Sequence, residues 1–232
     1  TVLQCVNLGW GVLNVAKELG EKTGFAVKAG NDANVAALGE MWQGGGKGYT
    51  DVVMVTLGTG VGGGIIVDGK IVAGAKGAGG EIGHMMMNEE ETDTCNCGKK
   101  GCLEQYTSAT GIVRMARHKL EKDGRDTALR SVEPLTAKDI FDKAKEGDSF
   151  ALELVEELGK VLGTALATVA CVTNPQVFVI GGGVSKAGQI LLDVTEKYYK
   201  DRTFHVCRDT KFALASLGND AGMYGCVQMI LD

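Results

Sequence analysis

The chain has 232 residues, 44% hydrophobic and 23% charged, with a formal net charge of −5. This length can bury a sizeable core, as one large domain or two small ones. The acidic balance disfavours a nucleic-acid surface, which needs clustered Lys and Arg. No apolar run approaches the roughly 20 residues of a membrane span, so no membrane partner is expected.

In chain order, apolar residues spaced three and four apart predict helices, and short apolar runs predict strands. The predicted helices cover residues 8–20, 33–42, 108–122, 136–146, 149–172 and 185–200, with a last helix capped by Asn219 and Asp220. The predicted strands cover residues 25–27, 51–57, 64–67, 70–73, 176–180 and 211–217. Asp68-Gly69 is typical of a hairpin turn. An early β-hairpin followed by a helix-rich half predicts an α/β fold.

The helix over 149–172 has a clear apolar stripe that we expect to be buried. Its members are Leu152, Val155, Leu158, Leu162, Leu166 and Val169.

Glycine and cysteine are the unusual components. The chain has 35 Gly but only 2 Pro, and the glycines cluster at 44–46, 58–64, 74–83 and 181–183. Glycine clusters at strand ends indicate backbone that approaches a ligand closely. Four of the seven cysteines are isolated in apolar surroundings, and we expect them to be small buried side chains in a protein of the reducing cytoplasm. These four are Cys5, Cys171, Cys207 and Cys226.

The other three cysteines form a pattern with a histidine, H-x10-C-x-C-x4-C. The residues are His84, Cys95, Cys97 and Cys102. Three thiolates and an imidazole are a typical ligand set for structural zinc, and four protein ligands leave no open position to activate water. The alternative is a set of unpaired loop cysteines, which is disfavoured because exposed thiols at this density are reactive.

Two carboxylates flank this predicted metal site, Glu81 in Gly-Glu-Ile-Gly-His84 and Glu104 two residues after Cys102. Each could be a solvated surface residue. Carboxylates held by a rigid loop also suit the hydroxyls of a sugar or polyol, since each accepts two or more hydrogen bonds. Their shared connection to the metal loop favours the binding interpretation.

A glycine loop over residues 58–63 contains the letters G-x-G-x-x-G. A dinucleotide site needs a strand, the loop and then a helix, whereas this loop joins two strands. Successive N–H groups there could still bind phosphate, and the alternative is a tight hairpin with a bulge. A second glycine turn lies between a strand and a helix and could also contact a nucleotide. The candidate residues are Gly58, Thr59, Gly60 and Gly62 in the first loop, and Gly181, Gly182 and Gly183 in the second.

Asp32 stands where the predicted helix 33–42 begins. It could simply cap that helix. A fixed aspartate that faces a phosphate loop is also what a kinase needs to accept the proton of a substrate hydroxyl. The two interpretations are compatible.

Taken together, four motifs resemble the ROK family (repressors, ORFs and kinases), in particular its bacterial ATP-dependent glucokinases. They are Asn31-Asp32-Ala33-Asn34, residues 57–64, residues 80–84, and residues 95–104. The resemblance implies an actin-like, ribonuclease-H-like ATPase fold with two lobes and a cleft between them. It places the remainder of the small lobe at residues 1–35, the large lobe with the zinc loop at 36–213, and a return to the small lobe at 214–232.

The resemblance also implies roles for the residues. Asp32 would be the catalytic base on the sugar 6-hydroxyl, and the sugar would be held by Asn31, Asp32, Glu81, His84 and Glu104. His84 would bind zinc as well. Residues 58–62 would be the second phosphate loop, and 181–183 the turn on the adenosine side. ATP with Mg²⁺ would be the phosphoryl donor, and the protein would form a homo-oligomer, commonly a dimer.

One departure from the family pattern stands out. Family members begin with a strand and an Asp-x-Gly-Gly-Thr loop that binds phosphate and Mg²⁺, and this sequence has no match to it. We therefore expect the N-terminal part of the small lobe to be missing, and the 232 residues alone to phosphorylate poorly. Glucose is the expected substrate. The alternatives are another hexose, N-acetylmannosamine, or a role as the sugar-sensing domain of a transcriptional repressor.

Overall fold

A computed structural model describes residues 11–231. The helices are α1 (Val15–Thr23), α2 (Asp32–Gln43), α3 (Glu104–Thr107), α4 (Ala109–Lys122), α5 (Ala137–Lys145), α6 (Ser149–Thr173), α7 (Gln189–Arg202) and α8 (Ala221–Leu231). The strands are β1 (Val52–Leu57), β2 (Val61–Val67), β3 (Lys70–Ile71), β4 (Val177–Gly181) and β5 (Lys211–Leu214). Within residues 11–231, no helix is long and apolar enough to cross a membrane.

The five strands form one mixed sheet in the order β3-β2-β1-β4-β5. The first three strands are antiparallel neighbours, whereas β4 pairs parallel with β1 and β5 pairs parallel with β4. Asp68 and Gly69 have φ values of 50° and 74°, as the predicted hairpin turn between β2 and β3 requires. Because β1, β4 and β5 are parallel, the loops that follow them meet at one edge of the sheet.

Helices cover both faces of the sheet. On one face, Ala37 and Leu38 of α2 pack against Val52 and Met54 of β1. On the other face, α4, α5, α6 and α7 form the larger part of the core with the alternate residues of β1 and β4. Burial on both faces explains why β1 and β4 are continuous apolar runs.

Helix α8 packs directly on α2 through small residues. A Cβ atom added to Gly39 would lie 2.0 Å from the carbonyl oxygen of Ala221, and one added to Gly225 would lie 1.8 Å from that of Val35. Only glycine allows the two backbones to approach this closely. On this face of the sheet, α2 therefore packs against the strands and α8 packs on the outer side of α2.

Several predicted elements differ from the observed ones. The predicted helix 8–20 begins in part outside the described residues, and α1 continues through Gly20 to Thr23, where Gly24 at φ 73° ends it. The predicted strand 25–27 is wrong, since this segment pairs with no strand within residues 11–231 and Phe25 is 76% exposed. The predicted helix 185–200 is broken at Gly188, whose φ of 77° separates a short 3-10 turn from α7.

Two predictions about buried side chains are also wrong in part. Leu152 of the predicted α6 stripe is 42% exposed, because the core-facing stripe includes Leu154 in its place, while the other predicted members are buried. Among the isolated cysteines, Cys207 is buried, but Cys171 and Cys226 lie on the outward faces of α6 and α8. Cys5 lies outside the described residues.

Candidate functional site

A cleft of about 780 Å³ opens at the edge where β1, β4 and β5 end. Its wall contains seven of the site residues predicted from the sequence: Asp32, Gly58, Gly60, Gly62, Glu104, Gly182 and Gly183. They come from the start of α2, from both glycine loops and from the start of α3. Residues far apart in the chain thus converge on one cavity.

The start of α2 presents Asp32. The helix cap is Asn31, whose side-chain oxygen accepts hydrogen bonds from the N–H groups of Ala33 at 3.0 Å and Asn34 at 3.2 Å. The interpretation of Asp32 as the cap is therefore wrong. Asp32 is exposed in the first helical turn, where its Oδ1 accepts from the Ala33 N–H at 2.9 Å, and Oδ2 has no partner among residues 11–231.

Glycines in β2 fix the position of α2. A Cβ atom on Gly64 would lie 2.5 Å from the Cβ of Ala37 and 2.9 Å from the carbonyl oxygen of Ala33. One on Gly62 would lie 3.3 Å from the Cβ of Ala33. Strand β2 begins at Val61 and not at the predicted residue 64, so part of the glycine motif serves helix packing. Only residues 58–60 form the loop itself.

Contacts with α3 and α4 hold this loop. The carbonyl oxygen of Gly58 accepts from the Ala109 N–H at 2.8 Å, and that of Thr59 accepts from the Thr110 hydroxyl at 2.7 Å. The N–H groups of Thr59 and Gly60 have no partner in the described part of the chain. The backbone can therefore bind an anion. The Thr59 side chain is exposed and is not part of the cavity wall.

Glu104 connects the glycine loop to the cysteine cluster. Its Oε2 accepts from the Val61 N–H at 2.9 Å, and its Oε1 lies 3.7 Å from the Cys95 thiol, which donates to it. A Cβ on Gly60 would lie 2.3 Å from Oε2. Glu104 is therefore neither a free surface carboxylate nor placed by the metal loop alone.

The four predicted metal ligands converge. One ligand atom each from His84, Cys95, Cys97 and Cys102 lies within 4.8 Å of the others. The Cys97 and Cys102 sulfurs are 3.6 Å apart, and the Cys95 sulfur is 4.0 Å from His84 Nδ1. Two sulfurs on a tetrahedral ion with bonds of about 2.3 Å would be about 3.8 Å apart. The donor set and its spacing therefore fit a metal ion.

The three thiols differ in how readily they ionise. Burial raises the pKa of Cys102 to about 12 and also raises the pKa of Cys95. A hydrogen bond from the Lys99 backbone lowers the pKa of Cys97. Two of the three thiols therefore resist ionisation at neutral pH, and a cation is needed to hold all three as thiolates.

Three predicted sugar-binding residues lie outside the cavity wall: Asn31, Glu81 and His84. Glu81 is exposed just before the 3-10 turn Ile82–His84. This turn packs on β2, since a Cβ on Gly83 would lie 2.2 Å from the carbonyl oxygen of Val61. Side chains alternate along a strand, so Gly62 and Gly64 face α2 while Val61 and Gly63 face this turn.

A charged network supports the segment 84–102, which carries the four candidate metal ligands, and this network was not predicted. Arg114 of α4 binds Glu91 at 2.8 Å and Asp93 at 2.6 Å, and the Tyr106 hydroxyl donates to Glu91 at 2.5 Å. Burial opposes the charge on Glu91, but the bonds from Arg114 and Tyr106 prevail and lower its pKa to about 2. The partners are separated by up to 23 residues and share no motif.

Further cleft residues were also missed as site residues. They are Ser185, Lys186, Ser216, Gly218 and Asn219. Ser185 and Lys186 follow the glycine turn 181–183, and Gly218 and Asn219 adjoin Asp220 in the predicted helix cap, whereas Ser216 lay within a predicted strand and had no such signal.

The sheet order, the hairpin at one end and the cleft at the carboxyl ends of parallel strands define an α/β protein of the actin-like ATPase class. The model of the ROK family matches residues 1–232. The chain belongs to the ROK family.

Individual relatives agree with this assignment. A glucokinase from Halalkalibacterium halodurans is 45% identical over 230 residues, which are 97% of this chain and 69% of the relative. A ROK family glucokinase from Streptomyces griseus, solved in complex with glucose and AMPPNP, superposes with a TM-score of 0.83 at 34% identity, over 99% of this chain and 76% of that one. A ROK family transcriptional regulator, a homologue of the E. coli MLC protein, superposes with a TM-score of 0.87 at 30% identity, over 97% of this chain and 57% of that one.

Proposed function

We propose that this protein is a glucokinase, which transfers the γ-phosphoryl group of ATP to the 6-hydroxyl of glucose. The observation that carries the proposal is that Asp32 and the glycine loop line the same cleft, and that the Thr59 and Gly60 N–H groups of this loop have no partner within residues 11–231. The relatives named glucokinase supply the reaction and the substrate.

In the proposed mechanism, Asp32 accepts the proton of the attacking hydroxyl through its free Oδ2. The N–H groups of Thr59 and Gly60 bind phosphoryl oxygens, and Gly181, Gly182 and Gly183 form the adenosine side. Mg²⁺, bound with ATP, neutralises phosphate charge. Catalysis then comes mainly from positioning and charge stabilisation.

We propose that His84, Cys95, Cys97 and Cys102 bind structural zinc. Their spacing within 4.8 Å supports this, because the set fills a tetrahedral shell. Zinc in this site stabilises the loop that carries Glu81 and Glu104. Together with Asn31 and Asp32, these carboxylates and His84 would hold the sugar.

The division into lobes remains a proposal, with boundaries at residues 35/36 and 213/214. The first boundary falls within α2 and the second within β5. Helix α8, assigned to the small lobe, packs on α2, whose residues 36–43 are assigned to the large lobe, so the lobes would meet along this helix pair. Assembly into a dimer also remains a prediction.

A sugar-sensing role in a transcriptional repressor is the second candidate, favoured by the similarity to the MLC homologue. A sensor needs neither a free Asp32 carboxylate nor free N–H groups in the glycine loop, and this chain has both. Another hexose or N-acetylmannosamine is the alternative within kinases.

A coupled assay of ADP release separates these candidates. The purified protein is given Mg-ATP with glucose, mannose, fructose, allose or N-acetylmannosamine in turn. We expect the highest kcat/KM with glucose. A higher value for another sugar would reassign the substrate, and sugar binding without ADP release from any sugar would favour the sensor.

A further inference from the structure

One buried carboxylate has no role in the mechanism above. Glu40 of α2 is 0% exposed and forms no ion pair within residues 11–231. Its Oε2 accepts from the N–H groups of Gly45 at 2.7 Å and Ser216 at 3.0 Å, and its Oε1 accepts from that of Leu217 at 2.9 Å. Three charge-assisted bonds replace the water that burial removes.

The glycine cluster at residues 44–46, which the proposed reaction does not use, is built around this carboxylate. A Cβ on Gly44 would lie 1.9 Å from Glu40 Oε2, and a Cβ on Gly45 would lie 2.3 Å from the carbonyl oxygen of Leu214. The Gly46 N–H donates to the Glu40 carbonyl oxygen at 3.0 Å. The glycines thus allow the segment to close over Glu40 and to touch the end of β5.

Glu40 joins two parts of the cleft. It lies on the helix that begins with Asp32, and it binds the segment after β5, where Ser216, Gly218 and Asn219 line the cavity. That segment is also attached to β4, since the Ala215 N–H donates to the Ile180 carbonyl oxygen at 2.9 Å. β4 leads directly into the glycine turn at 181–183.

We propose that Glu40 is a positioning residue for nucleotide binding. It holds the segment 215–219 beside the glycine turn and at a fixed distance from Asp32. This role rests on the proposed kinase function. The carboxylate itself does not line the cavity, and it acts through the backbone of Ser216 and Leu217.

The test is Glu40→Gln in the purified protein, with KM for ATP and KM for glucose measured separately. Glutamine has the same shape, but its NH₂ group must face at least one backbone N–H donor, so part of the attachment is lost. We expect KM for ATP to rise about tenfold or more, as loss of a hydrogen bond to a charged group predicts. KM for glucose should change less than about twofold.

Two further variants separate positioning from folding. Gly44→Ala pushes the carboxylate away without changing its charge, and we expect the same selective rise in KM for ATP. Leu38→Ala creates a cavity on the opposite, sheet-facing side of α2, where Leu38 is 4% exposed. It should lower the melting temperature without a selective change in either KM.

Equal changes in both KM values, or the same selective change in Leu38→Ala, would overturn the proposal. Absence of turnover by the unmodified protein even in prolonged incubations would refute the kinase function instead. Calorimetric titration with ATP would then decide the role of Glu40: weaker binding by Glu40→Gln supports it, and equal affinity overturns it.

Discussion

Asn31 and Asp32 divide two tasks at the start of α2. Asn31 caps the helix and thereby orders the first turn, while Asp32 keeps one carboxylate oxygen free toward the cleft. If Asp32 also had to cap the helix, its carboxylate oxygens would be occupied by backbone N–H groups and could not accept a proton from a substrate.

Replacing Asp32 by alanine should separate catalysis from binding. We expect kcat to fall at least about a hundredfold, because general-base catalysis is lost. The dissociation constant of glucose, measured by calorimetry, should rise far less. If turnover of Asp32→Ala stayed within about tenfold of the unmodified protein, Asp32 would not be the base.

Glu91 makes stability depend on pH. Its pKa is lowered from 4.5 to about 2 in the folded protein, so its bond to Arg114 stabilises the fold above about pH 4.5. This stabilisation is lost as the pH falls from about 4.5 toward 2. We expect Glu91→Gln to cost about 1–2 kcal/mol at pH 7 and less than about half as much at pH 3.

Urea unfolding of the metal-free protein at both pH values measures this difference. Glu89→Gln is the matched control, since Glu89 is exposed two residues away. The account of the network would be wrong if Glu91→Gln cost the same free energy at pH 7 and pH 3.

At the scale of elements, β2 is the strand on which the site is assembled. Its glycines admit α2 on one face and the turn Ile82–His84 on the other. The same short strand therefore sets the distance between the proposed base and the metal loop.

Gly64→Ala should displace α2 from the sheet. The new Cβ would lie 2.5 Å from that of Ala37, and overpacking of this kind costs about 1–3 kcal/mol. Gly124→Ala is the control, because nothing lies within 4 Å of its added Cβ. Thermal unfolding should show a lower melting temperature for Gly64→Ala alone. Equal melting temperatures of the two variants would contradict the packing argument.

Metal removal tests the connection between the cysteine cluster and the substrate. Chelation should disorder residues 95–102, lower the melting temperature and weaken glucose binding, because Glu104 contacts both Cys95 and the glycine loop. Added zinc should restore all three properties. A loop that melts on chelation while glucose affinity stays unchanged would contradict this connection.

The strongest sequence patterns predicted their elements well. The hairpin turn, α2, α4, α5 and α6 lie close to their predicted positions, because periodicity and turn residues are local properties. The prediction of a strand at 25–27 was wrong because a strand needs a neighbouring strand to pair with. Local composition does not reveal whether such a neighbour is present. The hydrogen bond between Glu40 and Ser216 joins residues that are 176 positions apart, so no local sequence pattern predicts it.

For the whole molecule, the fold explains why the motifs are scattered along the chain. Parallel pairing of β1, β4 and β5 brings their carboxyl ends to one edge of the sheet. The first turn of α2, which packs on one face of the sheet, lies at the same edge. The cluster of His84, Cys95, Cys97 and Cys102 then supports this edge through Glu104. The proposed reaction needs all of these parts at once.

The position of the new phosphate ester tests the central claim most directly. The purified protein is incubated with Mg-ATP and glucose, and the product is examined by ³¹P and ¹³C NMR. We predict a single ester on the 6-hydroxyl of glucose, which disappears in Asp32→Ala. Because slow turnover is expected of these 232 residues, the incubation is prolonged; an ester on any other hydroxyl, or no sugar phosphate even then, would contradict the account.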